Sequence, residues 1–159
     1  MMKHYAILFI VVGTLLIQAC AGTQSKSTGT MAGGILVTPN LIDKITGIEW
    51  QLIKMTMDNK SIDLVENSKT TFACDDNGRV SGVATLNRYS GNLELLPDGE
   101  IVWSKAFIMT RMAGPPELMQ QEANFTQALM KTSRMLLDDS KLALRSQDNS
   151  TVLEFEPAE

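Results

Sequence analysis

Beyond about residue 42, hydrophobic and polar positions alternate in short runs broken by turn residues. Residues 49–57 (EWQLIKMTM) put Trp50 and Leu52 on one face and read as a strand. Residues 69–74 (KTTFAC) read as a second, and Asp75-Asp76-Asn77-Gly78 after them predicts a hairpin, because Asn and Gly both tolerate positive φ. Residues 79–86 form the return strand and residues 91–96 another, stopped by the turn Pro97-Asp98-Gly99. Residues 100–108 (EIVWSKAFI) read as one further strand.

The period then changes. Pro115-Pro116 introduces ELMQQEANFTQALMK, a run of good helix formers without Gly or Pro. Leu118, Phe125 and Leu129 share a helical face, flanked by Met119 and Met130. Pro116 suits the first turn and Glu117 the positive end of the dipole. Glu122 falls on the apolar face; it is either an edge-exposed carboxylate or one that reaches a partner such as Arg111, and a structural role is favoured in both cases. Residues 134–137, 142–145 and 152–155 are short strands, separated by turns at 138–140 and 147–149. Strands this closely spaced leave no room for crossover helices and must pair antiparallel. The expected fold is therefore α+β: a compact antiparallel sheet, barrel-like, with one amphipathic helix packed on a sheet face or plugging an end.

The first residues obey another logic. Residues 5–17 are a nearly unbroken apolar run after Lys3, and thirteen residues span only ~20 Å as a helix, too short for a typical bilayer core. A positive start, a short apolar middle and small residues after it describe a secretory signal. The run closes with Leu16-Ile17-Gln18-Ala19-Cys20, which resembles the lipobox of bacterial lipoproteins. That resemblance implies cleavage after residue 19 and a lipid on Cys20, which anchors the chain to a membrane. Residues 21–34 are small and polar, and cannot bury enough apolar area to offset their ordering entropy. The expected organisation is a signal at 1–19, the lipidated Cys and a flexible tether at 20–38, and a globular domain at 41–156. Ala21 is not the Asp that retains lipoproteins in the inner membrane of enteric-type bacteria. In a Gram-negative source this implies the outer membrane, facing the periplasm.

Cleavage changes what the composition means. The chain has 159 residues, one His and two Cys. The mature part loses Lys3 and His4, leaving 140 residues with 13 Lys+Arg against 18 Asp+Glu, a net charge of −5, and no His. A nucleic-acid partner held by phosphate neutralisation is not expected. Ser-His-Asp and Cys-His catalysis is excluded, as are zinc sites of the usual Cys/His kind. There is no G-x-G-x-x-G, Walker loop or nucleophile elbow, so no cofactor is expected. Asp75-Asp76 and Asp138-Asp139 fall in predicted turns, where solvated acids are ordinary. Ser104-Lys105 and Ser140-Lys141 are adjacent pairs, but neighbours along a strand face opposite ways, which argues against the first. Eight Met remain after cleavage; thioethers bind Cu(I), yet Met is more often a core gap-filler, and no metal site is assigned.

Asn87-Arg88-Tyr89-Ser90-Gly91, then Thr110-Arg111-Met112-Ala113, then Glu122, Phe125 and Leu129 form an ordered set that resembles the META domain (HslJ-like) family. Trp50-x-Leu52 and Leu153-x-Phe155 match as well, so the likeness covers residues 41–156. It implies an antiparallel β fold with one helix, an envelope setting, a loose link to heat-shock response, novobiocin tolerance, secretion or motility, and no defined catalytic activity. Many members carry a Cys where this chain has Leu86 and another where it has Gly114, so the implied disulfide is absent and Cys74 lacks a partner in the domain. Cys74 reads as a small buried hydrophobe at a strand end, with an intermolecular disulfide or redox role as the alternative. Asn87 and Gly91 read as a tight turn between strands, Tyr89 as a packed ring with a satisfied hydroxyl, and Thr110 and Arg111 as hydrogen-bonding that loop across the fold, with Met112 in the same motif. Alternatively Arg88, Tyr89 and Arg111 line a recognition surface, since Arg and Tyr anchor interfaces. The expected function is a non-enzymatic envelope lipoprotein that binds or supports an envelope component, such as a protein partner; the alternative is a small periplasmic inhibitor or ligand-binding β module.

Overall fold

A computed structural model of the protein describes residues 34–138 and 140–159. The expected signal, Cys20, most of the tether and Asp139 lie outside the described residues. The chain runs through β1 (Ile35–Leu36), a 3-10 turn (Pro39–Lys44), β2 (Trp50–Met57), β3 (Lys60–Ile62), β4 (Thr71–Cys74), β5 (Arg79–Val83), β6 (Arg88–Leu95), β7 (Ile101–Trp103), β8 (Ile108–Met109), α1 (Pro116–Lys131), β9 (Arg134–Asp138), β10 (Lys141–Arg145) and β11 (Val152–Pro157).

Every strand pairing is antiparallel, in the order β1-β9-β10-β11-β2-β4-β5-β6-β7. β3 shares an edge of β2 with β4, and β8 shares an edge of β6 with β7. The sheet is open, but a single bridge between Glu100 and Arg134, with the Ile101 amide on the Ser133 carbonyl at 2.8 Å, draws β7 towards β9. Among the described residues no helix is long and apolar enough to cross a membrane.

The core follows from the alternation. Trp50, Leu52, Met55, Phe72, Val80, Leu142, Leu144, Leu153 and Phe155 all point to the inner face and are buried. The Trp50 indole satisfies its N–H on the Ile45 carbonyl at 3.1 Å. α1 lays Phe125, Ala128 and Leu129 on that face, and the Phe125 ring lies 5.8 Å from that of Tyr89. Leu118 is only half-buried and Met119 is exposed, so the buried stripe sits one position round from the expected one, and Gln121 and Glu122 lie within it.

Four expectations are corrected. Residues 35–38 do not belong to the tether: Ile35–Leu36 pairs with β9 and Val37 is buried, because β9 otherwise offers an unpaired edge. The Asn87–Gly91 segment is not a turn. The turn lies at 84–87, and Arg88 to Gly91 are already strand, paired with β5. Residues 100–108 are two strands, interrupted at 104–107 where Phe107 turns inward to stack on Tyr89 at 5.3 Å. Ser104 lies in that interruption, not on a strand, and its hydroxyl accepts the Ala106 amide. A further hairpin escaped the sequence reading: Asp58 and Asn59, both at positive φ, join β2 to β3 as a two-residue loop. The Asp75–Gly78 turn forms as expected, with the Asp75 carboxylate accepting the Asn77 and Arg79 amides and Gly78 at φ +76°.

Candidate functional site

The motif residues gather around the β5–β6 hairpin, whose tip is held by two consecutive helix side chains. Thr85 in that tip has φ 96°, a strained backbone for a β-branched residue that costs on the order of 1–3 kcal/mol. Its hydroxyl bonds that of Thr70 at 2.7 Å and the Gln121 amide at 3.1 Å. Gln121 also donates to the hydroxyls of Ser68 and Thr70 and accepts the Val65 amide at 2.6 Å. Glu122, 8% exposed, accepts the backbone amides of Leu86 (3.1 Å) and Asn87 (2.7 Å) and the Asn87 side-chain amide (2.7 Å). Its partner is therefore Asn87 and not Arg111, because the hairpin tip presents three N–H donors directly over the helix.

Asn87 uses its whole hydrogen-bonding capacity. Its Oδ1 accepts the Thr110 hydroxyl and the Met112 amide, both at 2.7 Å, and its Nδ2 donates to Glu122 and to the Met112 carbonyl at 3.1 Å. The Thr110 hydroxyl in turn accepts the Arg88 amide at 3.1 Å. The structure thus brings Asn87, Thr110, the Met112 backbone and Glu122 into one network. It leaves Arg111 outside: exposed, and without a side-chain hydrogen bond or ion pair among the described residues. The Met112 side chain is exposed too.

Tyr89 packs its ring in the core and donates its hydroxyl to the Thr71 carbonyl at 2.9 Å. It takes the place of a ladder bond. Between β4 and β5 the Val83 amide goes to the Thr71 hydroxyl at 3.1 Å, and the regular pairing is lost opposite Gly82. A Cβ on Gly82 would sit 2.1 Å from the Thr71 carbonyl oxygen, so only glycine permits this approach. Burial, and secondarily the neighbouring Cys74, push the Tyr89 phenol above its ordinary range, so it stays neutral. Gly91 is closely covered: a Cβ there would lie 3.1 Å from the Phe107 ring, which would have to shift by a few tenths of an ångström.

On the outer face the same strands form a groove of about 490 Å³. Its floor is made of small side chains, because the row that crosses the sheet runs through Ala73, Ser81 and Ser90 to Ile108. Arg88 and Ile108 stand at one end and Glu49 at the other. The Arg88 guanidinium has no carboxylate within 4 Å and no hydrogen-bond partner among the described residues. Glu49 lies 3.7 Å from Lys69 in an exposed pair. Ile108 is 70% exposed.

Cys74 is free and buried at the end of β4, donating to the Asp75 carbonyl at 3.3 Å. Burial first, and the Asp75 charge second, push its thiol up from 9.0 to about 12. That is the opposite of the depressed value a reactive thiolate needs. Among the described residues no group of three or more His, Cys, Asp or Glu side chains is placed to hold a metal ion. Gln121, Thr85, Thr71 and Glu49 were missed from the sequence. Only Gln121 carried a signal: it stands between Leu118 and Phe125 at helical spacing, so it had to be buried and bonded.

These features define a small antiparallel-sheet domain whose single helix clasps one hairpin and whose outer face carries a short mixed-polarity groove. The META domain family model matches residues 43–159, and the chain belongs to that family. Solved structures agree on the fold. A protein from Burkholderia xenovorans, determined by NMR, aligns with a TM-score of 0.62 at 21% identity, covering 76% of this chain and 88% of its own. Another NMR structure aligns at 0.53 and 21%, covering 76% of this chain and 95% of its own. A DUF4847 family protein from Bacteroides vulgatus, solved by crystallography, aligns at 0.53 with 9% identity, covering 73% and 96%. No curated protein matches this chain.

Proposed function

We propose that this chain is a lipid-anchored, non-enzymatic envelope protein whose META domain binds an envelope component through the groove beside Arg88. The unpaired Arg88 guanidinium at a formed groove carries the reading, since an Arg held by its backbone but left without an acid is suited to an incoming anionic or polar group. The motif network supports it: Asn87, Thr110 and Glu122 fix the strand from which Arg88 projects. The non-catalytic part rests on the lack of His in the mature chain and on the buried, protonated thiol of Cys74. The anchor is supported by the lipobox-like residues 16–20, and an outer-membrane position facing the periplasm, for a Gram-negative source, by Ala21 in place of the retaining Asp. A role in stress or novobiocin tolerance is what the family resemblance adds.

The anchor is tested by labelled palmitate, which should enter the full chain and be lost in Cys20→Ala; equal labelling of both overturns it. The groove is tested by a photo-crosslinker in the envelope-bound chain, as Ile108→benzoylphenylalanine, with Val102→benzoylphenylalanine as control (Val102 is 45% exposed). A discrete adduct from position 108 that disappears with Arg88→Glu supports the groove. An adduct indifferent to Arg88, or one shared by both positions, overturns it. An adduct that proves to be a hydrolase inhibited by this chain replaces the proposal with the inhibitor reading.

A further inference from the structure

The shape and polarity of the groove narrow what it accepts. The geometry points to a short extended peptide with free ends, its terminal carboxylate on Arg88 and its terminal amine on Glu49; we infer this ligand class on the basis of the binding function proposed above.

Three observations converge. The first is length. Glu49 stands at β2 and Arg88 at β6, with β4 and β5 between them. Three inter-strand steps of ~4.8 Å, with the two-residue offset between the Arg88 row and the Glu49 row, separate the two backbones by ~16 Å, a gap that four extended residues at ~3.3 Å each close with the reach of the Arg88 and Glu49 side chains. The second is charge. One end offers a guanidinium without an acid within 4 Å, the other a carboxylate whose only cation partner among the described residues is the Lys69 amine at 3.7 Å. That pair is about half-exposed on both sides, and an exposed pair of this kind is readily exchanged for another amine. The ends are thus complementary to a zwitterion of one polarity.

The third is the floor. Ser81 and Ser90 are direct cross-strand partners on the outer face, and neither hydroxyl has a hydrogen-bond partner among the described residues. Two adjacent free hydroxyls, each able to donate and accept, suit peptide amides. The neighbouring polar groups are already committed: the Thr71 hydroxyl to the Val83 amide, and that of Thr110 to Asn87 and Arg88. The absence of large side chains on Ala73, Ser81 and Ser90 lets a backbone lie close to the sheet, while Ile108 gives one apolar wall for a side chain. The ligand crosses the strands instead of adding to an edge, so its contacts are with side chains.

The test is a titration of the full chain in neutral detergent with tetra-alanine, followed through the backbone amide resonances of Ser81, Arg88 and Ser90. The same peptide is then used N-acetylated, and again C-amidated. Amidation should weaken binding roughly 10-fold or more, the loss of a charge-assisted hydrogen bond. Arg88→Gln should weaken the free-ended peptide similarly and leave the amidated one unchanged. Acetylation and Glu49→Gln should behave the same way at the other end, with a smaller factor because of Lys69. Equal affinity for free and amidated peptides in the wild-type chain, or shifts confined to residues outside the groove, overturns the inference. If no peptide shifts the groove resonances while the crosslink from position 108 still depends on Arg88, the ligand class is wrong and the binding function stands. If both fail, the binding function fails with it.

Discussion

Glu122→Gln changes one buried oxygen to an amide without altering shape, and it isolates what the carboxylate does. In the native protein Glu122 accepts two N–H donors on Oε2 and one on Oε1, at 2.7–3.1 Å. The carboxamide can keep its oxygen on the two backbone amides, but its NH2 then faces the Nδ2 group of Asn87, donor against donor. Asn87 cannot rotate away from the conflict, because its Oδ1 already serves Thr110 and Met112 at 2.7 Å. Hydrogen bonds to a charged group contribute about 1.5–3 kcal/mol each, and a buried donor without an acceptor costs about 1–3 kcal/mol. One bond lost and the other two weakened to neutral strength give about 3 kcal/mol. For a domain of this size that lowers Tm by roughly 10 °C. Circular-dichroism melts of wild type and Glu122→Gln measure this directly. Asn87→Ala with and without Glu122→Gln completes a double-mutant cycle, and the combined loss should be smaller than the sum by about 1 kcal/mol or more. A Glu122→Gln chain that melts within about 2 °C of wild type refutes the clasp, and strictly additive losses refute the contact with Asn87.

Other outcomes follow from the same geometry. Gly82→Ala drives a Cβ to 2.1 Å from the Thr71 carbonyl oxygen and should lower stability by about 2–3 kcal/mol, read from urea midpoints at unchanged m. The Cys74 thiol is raised in the folded state, so its contribution is complete below about pH 9 and is lost as pH rises through about 12; Cys74→Ser should flatten the alkaline fall in Tm, and rapid modification of Cys74 by a thiol reagent in the folded chain would contradict its burial. The Asp148 carboxyl, held down to about 2 first by the Ser146 hydroxyl and then by the Ser150 amide and hydroxyl, stabilises the 146–151 turn above its ordinary 3.8 and releases it as pH falls through about 2. An NMR titration of Asp148 that shows a midpoint near 3.8 would contradict this, and Ser146→Ala should move the midpoint upward.

The sequence was most readable where side chains alternate against water. β2, β4, the 75–78 turn, α1 and the three last strands lie close to their expected places, because each has one wet face and one dry face. It misled where the tertiary partner decides. Arg88 to Gly91 carry Asn, Ser and Gly around them and look like a turn, yet they are strand because each of them pairs with a residue of β5, from Val83 opposite Arg88 to Val80 opposite Gly91. β1 has only two residues, and nothing local marks it; β9's open edge makes it. Of the candidate site, the hub Asn87 and its partner Thr110 were visible as a motif, and Glu122 as an acid on an apolar stripe. The groove was not, since it depends on which strands become neighbours and so on Glu49, which stands far before Asn87 in the chain.

The thinness of β1 has a mechanical consequence. A pull applied at residue 34 meets the fold first at two paired residues, Ile35 with Leu137 and Leu36 with Leu136, at the margin of the sheet. Leu36 is wedged against Gly99, where a Cβ would lie 2.8 Å from it, and Val37 bonds Met135 at 2.9 Å. Beyond them the next strand along the chain is β2, held on both sides by β11 and β4 in the interior of the sheet. Tension from that end therefore peels a short outer seam and then stops at a strand loaded along its length between two neighbours. The domain has a yielding first stitch and a strong second one, so tension at residue 34 releases the β1 pairing before it loads β2.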